Sequence, residues 1–359
     1  MKILDIYILR KFLVTYFFTV LLLIAVLIVI DLAEKVEDFN HPELTAWRIL
    51  SEYYLNFIPY YTFMLSPLMI FIAAVFVTSK LATHAEIVAM LSAGINLRRI
   101  LRPYFIGACV IALIVFFLIN WVVPRSNRIR NNFENNYVRS KYYFNERNVH
   151  IKIAPTLYVY LERYDNITHV GHRFTMEKID GTNLLAKLEG SRIIWDKDKK
   201  KWTLPEYKVR QFQKNGNEKI TYGSQLDTLI NIRPEDFESK HRLYEQLTLP
   251  ELNAHIALSR LRGADDIEIY LVEKYERFAY PFSILILTMM GVIMSSRKTR
   301  GGTGFQIAMG FVLAFTFILL LMISRSFARK GGIPPELSAW IPNAIFCVVG
   351  YYLYLRVPK

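Results

Sequence analysis

Six long runs without a charged residue decide what this chain can fold into. Phe12–Ile30, Tyr53–Ser79, Pro103–Val123, Phe278–Ser296, Gly301–Ser324 and Leu337–Leu355 contain no Asp, Glu, Lys or Arg. Each reaches the roughly 18–20 residues with which a helix crosses the hydrocarbon of a bilayer. A helix on a soluble core turns a polar face to water and rarely runs so far without a charge. The pattern predicts an α-helical membrane protein with six transmembrane helices. The first run is too long for a signal-peptide core of roughly 7–15 residues, and no Ala-x-Ala site follows it. The chain continues instead into the acidic stretch Asp31–Asp38.

The runs fall into two sets of three. Residues 1–124 hold the first three spans and 278–359 the last three. Between them, 125–248 read as a β domain and 249–277 as connecting helices. Lysines and arginines orient the set. With the N-terminus cytoplasmic, the inner segments carry 12 basic residues and the short outer loops 5, the bias of the positive-inside rule. Both termini are then cytoplasmic, and the insert lies outside the cytoplasmic membrane. Arg125, Arg128 and Arg130 count against this orientation, but a long translocated segment is largely exempt from the rule.

The formal net charge is +13. The excess sits largely beside the spans, where it meets anionic headgroups. There is no basic–aromatic stripe, so nucleic acid is excluded as a partner. Cys109 and Cys347 fall inside spans and read as small apolar residues.

Within the insert, residues from about 149 to 232 read as strands. Leu157-Tyr-Val-Tyr-Leu161 is rich in β-formers, and Tyr207-Lys-Val-Arg210 alternates apolar and polar. Turns are marked at Asp165-Asn166, Asp180-Gly181, Asp196–Lys201 and Asn215-Gly216-Asn217. Their spacing predicts long antiparallel strands in an all-β sandwich or jellyroll-like domain. Leu249-Pro250 then starts a helix. Arg262-Gly263 ends it, and Asp265-Asp266 cap the helix that becomes the fourth span.

The loop between the second and third spans contains Thr83-His-Ala-Glu-Ile-Val-Ala-Met-Leu-Ser-Ala-Gly94. Ile87, Met90 and Leu91 share a helical face, Glu86 stands at the start and Gly94 near the end. Two readings stay open: a helix lying in the interface, or a helix that couples to a partner. The chain has no Gly-Lys pair, hence no P-loop, and no His-Glu-x-x-His. The middles of the spans lack the charged groups that ion-coupled transport uses.

The chain resembles the LptF/LptG (YjgP/YjgQ) family of lipopolysaccharide-transport permeases. The resemblance covers essentially the whole chain. It rests on Leu4-Asp5-x-Tyr7, on Ala85-Glu86-Ile-Val-x-Met90-x-x-x-Gly94, on the 3+3 topology with a β insert, and on Ile333-Pro-Pro-Glu-Leu-Ser-Ala-Trp-Ile-Pro-Asn343. The start and Leu249-Pro-Glu-Leu252 resemble the LptG branch more. The resemblance implies a non-enzymatic permease subunit that pairs with a second LptF/LptG-type permease and a cytoplasmic ABC ATPase dimer. That complex extracts lipopolysaccharide from the inner membrane and hands it to periplasmic jellyroll proteins of the LptC/LptA type. No cofactor is expected on this chain, ATP and Mg being held by the ATPase. Glu86 matches the family's ATPase-coupling glutamate, with Ile87, Met90, Leu91 and Gly94 around it.

The lipid is amphiphilic, so its cavity calls for apolar walls and a charged rim. Phe17, Leu21, Phe311 and Phe315 are candidate walls. The family's basic residues at the outer end of the first span are mostly replaced here by acids. Lys35 and Arg325, with Arg128, Arg130 or Arg329, are candidates for the positive rim. The competing reading is a membrane-anchored periplasmic sensor or assembly scaffold without transport, which has no need of a glutamate-bearing coupling helix.

Overall fold

The computed structural model describes residues 3–139, 143–212, 217–230, 232–237, 242–262, 266–296 and 302–356. Two compact units emerge, one of residues 1–139, 244–253 and 268–359, the other of 140–243 and 254–267.

Six helices of the first unit are long and apolar enough to cross a membrane: α1 (Ile3–Lys35), α2 (Ala46–Thr83), α4 (Leu97–Tyr137), α6 (Ile267–Ser295), α7 (Gly302–Arg329) and α8 (Pro335–Arg356). The short α3 (Glu86–Ser92) joins α2 to α4, and α5 (Leu249–Arg262) precedes α6. α2 and α6 lie between two apolar cores. One gathers side chains of α1, α2, α3, α4 and α6; the other gathers Phe71 and Val75 of α2, Leu287 and Met290 of α6, Phe317 of α7 and Phe346 of α8. Asn343 explains part of the C-terminal sequence signature. Its amide donates to the Ala279 carbonyl at 2.9 Å, and its oxygen is 2.9 Å from the Ser283 hydroxyl, so it locks α8 onto α6. Such polar links inside a bundle satisfy groups that lipid cannot.

α4 does not end with its apolar run. Pro124 has no N–H to offer, and the helix widens into a π turn over Leu118–Val122 before continuing to Tyr137. The expected start of the β domain at residue 125 is therefore corrected: residues 125–137 are helix. Their polar side chains Asn127, Arg130, Asn131 and Glu134 are buried, which hydropathy alone does not anticipate.

The second unit is built on one antiparallel sheet of six strands in sequential order: β1 (Arg147–Ala154), β2 (Leu157–Asp165), β3 (Val170–Asp180), β4 (Asn183–Asp196), β5 (Lys201–Phe212) and β6 (Glu218–Thr228). The insert holds a β domain, as expected. In place of two packed sheets, its described strands form a single meander, because each described turn signal closes a hairpin between neighbours. Asp165 accepts the N–H groups of Ile167 and Thr168, and Asp196 those of Asp198 and Lys199, each an Asx-type turn. Gly181 takes the left-handed conformation in its turn. Asn215 and Gly216 lie outside the described residues, as do Gly263 and Asp265. One face of the sheet carries Val159, Leu161, Phe174, Leu188, Ile193 and Leu204, all buried. Phe237, from the turn that follows the sheet, stacks on Tyr164 with ring centroids 4.0 Å apart.

Candidate functional site

α3 is defined by its two ends. Ala85, just before it, is left-handed at φ 59°, an uncommon state for a residue with a Cβ. At the other end Gly94 has φ 79°, the Ile95 N–H reaches the Met90 carbonyl at 3.0 Å and the Gly94 N–H the Leu91 carbonyl at 3.0 Å. That is a Schellman closure, and it requires the glycine. A Cβ at Gly94 would meet nothing within 4 Å, so backbone conformation and not space selects the residue.

Between these ends the apolar face turns inward. Ile87 and Met90 are buried in the core that includes Leu81, Ile100 and Tyr104, and Leu91 packs against it half-buried. The expectation that Ile87 and Met90 offer apolar contact to a partner is corrected, since the chain's own core has taken them. The face left outward presents Val88, Ala89 and Ser92. Glu86 is partly exposed, and α1 holds it: the Tyr7 hydroxyl donates to its Oε2 at 3.1 Å and the Lys11 ammonium lies 3.7 Å from its Oε1.

At the opposite end of α1, Lys35 is not a free cation. Its ammonium is 3.0 Å from Asp31 and 3.9 Å from Glu134, and it also reaches the Tyr53 hydroxyl. Arg130 lies 3.5 Å from Glu134 with its guanidinium over the Tyr60 ring, and Arg139 also pairs with Glu134. An aromatic cluster that includes Phe39, Tyr53, Phe57 and Phe133 closes over this end. Arg325 of α7 is bound to Glu276 and lies 3.7 Å from Glu273, and Arg128 pairs with Glu251 at 2.9 Å. The expected positive rim is thus spoken for by carboxylates of the same or other helices, which offsets the field each cation would present to a phosphate. Arg329 differs. Its guanidinium lies 5.0 Å over the Tyr244 ring, and two of its buried nitrogens find no hydrogen-bond partner among the described residues.

The candidate wall residues do face outward. α1 buries a single stripe at every fourth residue, Ile8, Phe12, Tyr16, Val20 and Ile24. Phe17 and Leu21 lie off this stripe and are 53% and 68% exposed; Phe311 and Phe315 on α7 are likewise exposed. These two helices leave broad apolar surface uncovered by the chain itself.

One arrangement had no sequence signal. Four consecutive carbonyls of residues 244–247 each accept a hydrogen bond from a helix of the membrane unit. Arg277 of α6 donates to Tyr244 and Leu247 at 2.8 Å each, Asn127 of α4 to Glu245 at 3.2 Å, and Arg128 of α4 to Gln246 at 3.1 Å. Arg277 is 1% exposed and also binds Glu273 at 2.9 Å. Thr248 then caps α5, with Glu251 accepting both its N–H and its hydroxyl. This strap is pinned by the first and second sets of three helices at once.

In the β unit, β6 is an edge strand with Ile220 and Tyr222 exposed. An open groove of about 730 Å³ crosses the sheet and includes Tyr160, Phe174, Tyr207 and Tyr222 in its lining.

The profile of the family described as "Lipopolysaccharide export system permease LptF/LptG" matches residues 6–356. The chain is 21% identical over 361 residues to the lipopolysaccharide export system permease protein LptG of Haemophilus influenzae, covering 98% of each. It is 19% identical over 294 residues to the LptG protein of Escherichia coli (strain K12), covering 81% of each.

Proposed function

Because the chain belongs to the LptF/LptG family of lipopolysaccharide export permeases and is a multi-pass inner-membrane transport component, we propose that it works as one of two permeases driven by a cytoplasmic ABC ATPase dimer. The partner permease is a second LptF/LptG-type chain. The pair extracts lipopolysaccharide from the inner membrane and passes it to periplasmic jellyroll proteins of the LptC/LptA type. ATP and its magnesium bind the ATPase. The termini and α3 are cytoplasmic and the β unit periplasmic, a reading that rests on the distribution of basic residues.

The observation that carries this reading is α3. A short helix seated by its apolar face leaves Glu86, Val88 and Ser92 available to a groove on another protein. A carboxylate in that position can accept charge-assisted hydrogen bonds from an arginine. The uncovered faces of α1 and α7, with Phe17, Leu21, Phe311 and Phe315, would wall the lipid cavity toward the second permease. Lys35 and Arg325, held by carboxylates, would act on the lipid only if those pairs open. The exposed edge of β6 offers backbone groups for addition of a neighbouring jellyroll strand.

Purification from native membrane in mild detergent, with mass spectrometry of protein and lipid, tests the proposal. An ABC ATPase, a second six-span permease and bound lipopolysaccharide are the expected companions. Recovery of the chain alone, or with signalling proteins and no glycolipid, would favour the sensor or scaffold.

A further inference from the structure

The β4–β5 hairpin closes at the end of the sheet where β1 begins, at Arg147, and β6 ends, at Thr228. A cavity of about 600 Å³ opens there, and His169, Trp195, Lys197, Lys200, Lys201 and Arg233 are part of its wall. No carboxylate is among the described residues that line it. Of the nearby acids, Asp198 is exposed in the turn and not part of the wall, and Asp196 and Asp227 are engaged elsewhere. Asp196 accepts the backbone N–H groups of Asp198 and Lys199 at 3.0 and 3.1 Å. Asp227 takes the Lys199 ammonium at 3.1 Å and the Thr203 hydroxyl at 2.9 Å. Lys199 is thereby neutralised and lies outside the wall. Lys197, Lys200, Lys201 and Arg233 form no ion pair among the described residues.

Four cations gathered on one concave surface repel one another, and low-dielectric walls focus their field onto the space between them. An anion relieves that repulsion. The remaining wall is largely apolar, with Leu229, Ile230, Ile232 and Pro234 beside two tryptophans. Trp195 and Trp202 face each other across β4 and β5 with ring centroids 5.1 Å apart. The Trp202 indole N–H donates to the Ile232 carbonyl at 2.7 Å, which fixes that ring. Trp195 is only half-buried and offers a flat apolar surface beside the lysines. The volume falls within the roughly 300–1,000 Å³ of small-molecule sites, far more than a bare phosphate fills. A sugar ring presents an apolar C–H face to an indole, and its phosphate can lie against the ammonium groups.

We infer that this cavity binds a phosphorylated sugar, with the phosphate held by Lys197, Lys200, Lys201 and Arg233 and the ring laid against Trp195. The site goes beyond the proposed function and does not depend on it, because binding is measured without ATPase or transport. The test uses the full chain in nanodiscs of zwitterionic phosphatidylcholine. Glucose 1-phosphate, glucose and inorganic phosphate are titrated separately while tryptophan fluorescence is followed.

Glucose 1-phosphate is expected to saturate at least about tenfold more tightly than either fragment, and more weakly as salt rises. The K197Q/K200Q/K201Q variant should bind at least about tenfold more weakly, since charge-assisted hydrogen bonds are lost, and W195F should lose most of the signal. These lysines lie on a surface hairpin, and an unchanged circular dichroism spectrum confirms that the variant folds. Displacement of glucose 1-phosphate by lipopolysaccharide, but not by its dephosphorylated form, would identify the source as a lipid-linked sugar. Absence of displacement would identify a free one. Three results overturn the site: no saturable binding of glucose 1-phosphate, equal affinity in the triple variant, or lysine-dependent adsorption to phosphatidylglycerol vesicles as the only response.

Discussion

Tyr7 donates its hydroxyl to Glu86 at 3.1 Å across 79 residues of sequence. The two belong to separate signatures, the N-terminal Leu-Asp-x-Tyr and the loop Ala-Glu-Ile-Val, and the fold makes them one unit. Lys11, one turn along α1, has its ammonium 3.7 Å from the same carboxylate and 4.1 Å from the centre of the Tyr7 ring. Glu86 is therefore oriented before any partner arrives. A guanidinium entering from outside meets a carboxylate already turned and only partly hydrated.

Glu86→Ala should weaken association with the ATPase about tenfold to a hundredfold, the loss of a charge-assisted bond of about 1.5–3 kcal/mol. The thermal midpoint of the chain alone should hardly move, because an exposed ion pair contributes at most about 1 kcal/mol. Tyr7→Phe leaves the carboxylate in place but frees its rotamer, so its effect on association should be smaller and of the same sign. Both follow from titrating the purified permease with ATPase in mild detergent. Undiminished affinity in Glu86→Ala would remove that residue from the interface.

Arg277 sits at a buried junction. Replacing it by methionine strips two carbonyls of the strap of their donor and leaves Glu273 without its nearest cation. Breaking a buried pair from one side costs about 3–5 kcal/mol, so a large fall in thermal midpoint is expected. Arg277→Lys keeps the charge yet cannot span both carbonyls, and its midpoint should lie between. A further gain of backbone exchange confined to residues 244–248 would locate the damage in the strap. Wild-type exchange there would mean that the two Arg277 hydrogen bonds do not hold the segment.

The spans are legible because lipid imposes a crude rule, some 20 apolar residues in a row. The end of α4 is not, since Asn127, Arg130, Asn131 and Glu134 look like loop residues until their partners on other segments are known. The hairpins are legible from Asp165-Asn166 and Asp180-Gly181. The single meander is not, because alternation says which face is buried and not which strand lies alongside. At the candidate site the face of α3 is legible, whereas its owner is not: Ile87 and Met90 serve the chain's own core. Lys35 and Arg325 could be picked out as cations, and Asp31 stands one turn before Lys35, but Glu134 and Glu276 come from distant stretches of sequence.

Gly291 marks the close approach of α6 to α2. A Cβ there would stand 3.2 Å from the Phe71 carbonyl oxygen and 3.3 Å from the Ala74 Cβ. Backbone cannot retreat as a side-chain tip can, and small residues are what let membrane helices meet so closely. Gly291→Ala should be tolerated with a modest loss, as a shift of a few tenths of an ångström suffices. Gly291→Leu should destabilise by about 1–3 kcal/mol through overpacking. Thermal unfolding of the two variants in one detergent ranks them. Equal midpoints would show that the helices separate freely at this point.

The β unit carries its own acid sensitivity. Asp165 accepts the N–H groups of Ile167 and Thr168, which hold its carboxyl below the ordinary range. The Thr203 hydroxyl and then the Lys199 ammonium do the same for Asp227. A carboxyl whose folded pKa is depressed stabilises the fold fully above its unfolded value of about 3.9. That contribution disappears as pH falls through the folded value. The sheet should therefore lose stability as pH drops below about 4, and a D165N/D227N variant should lose less over the same interval. The measurement is the urea midpoint against pH, read from Trp195 and Trp202 with Trp47, Trp121 and Trp340 replaced by phenylalanine. Parallel acid limbs in the two proteins would show that these carboxyls interact no more strongly in the folded sheet than in the unfolded chain.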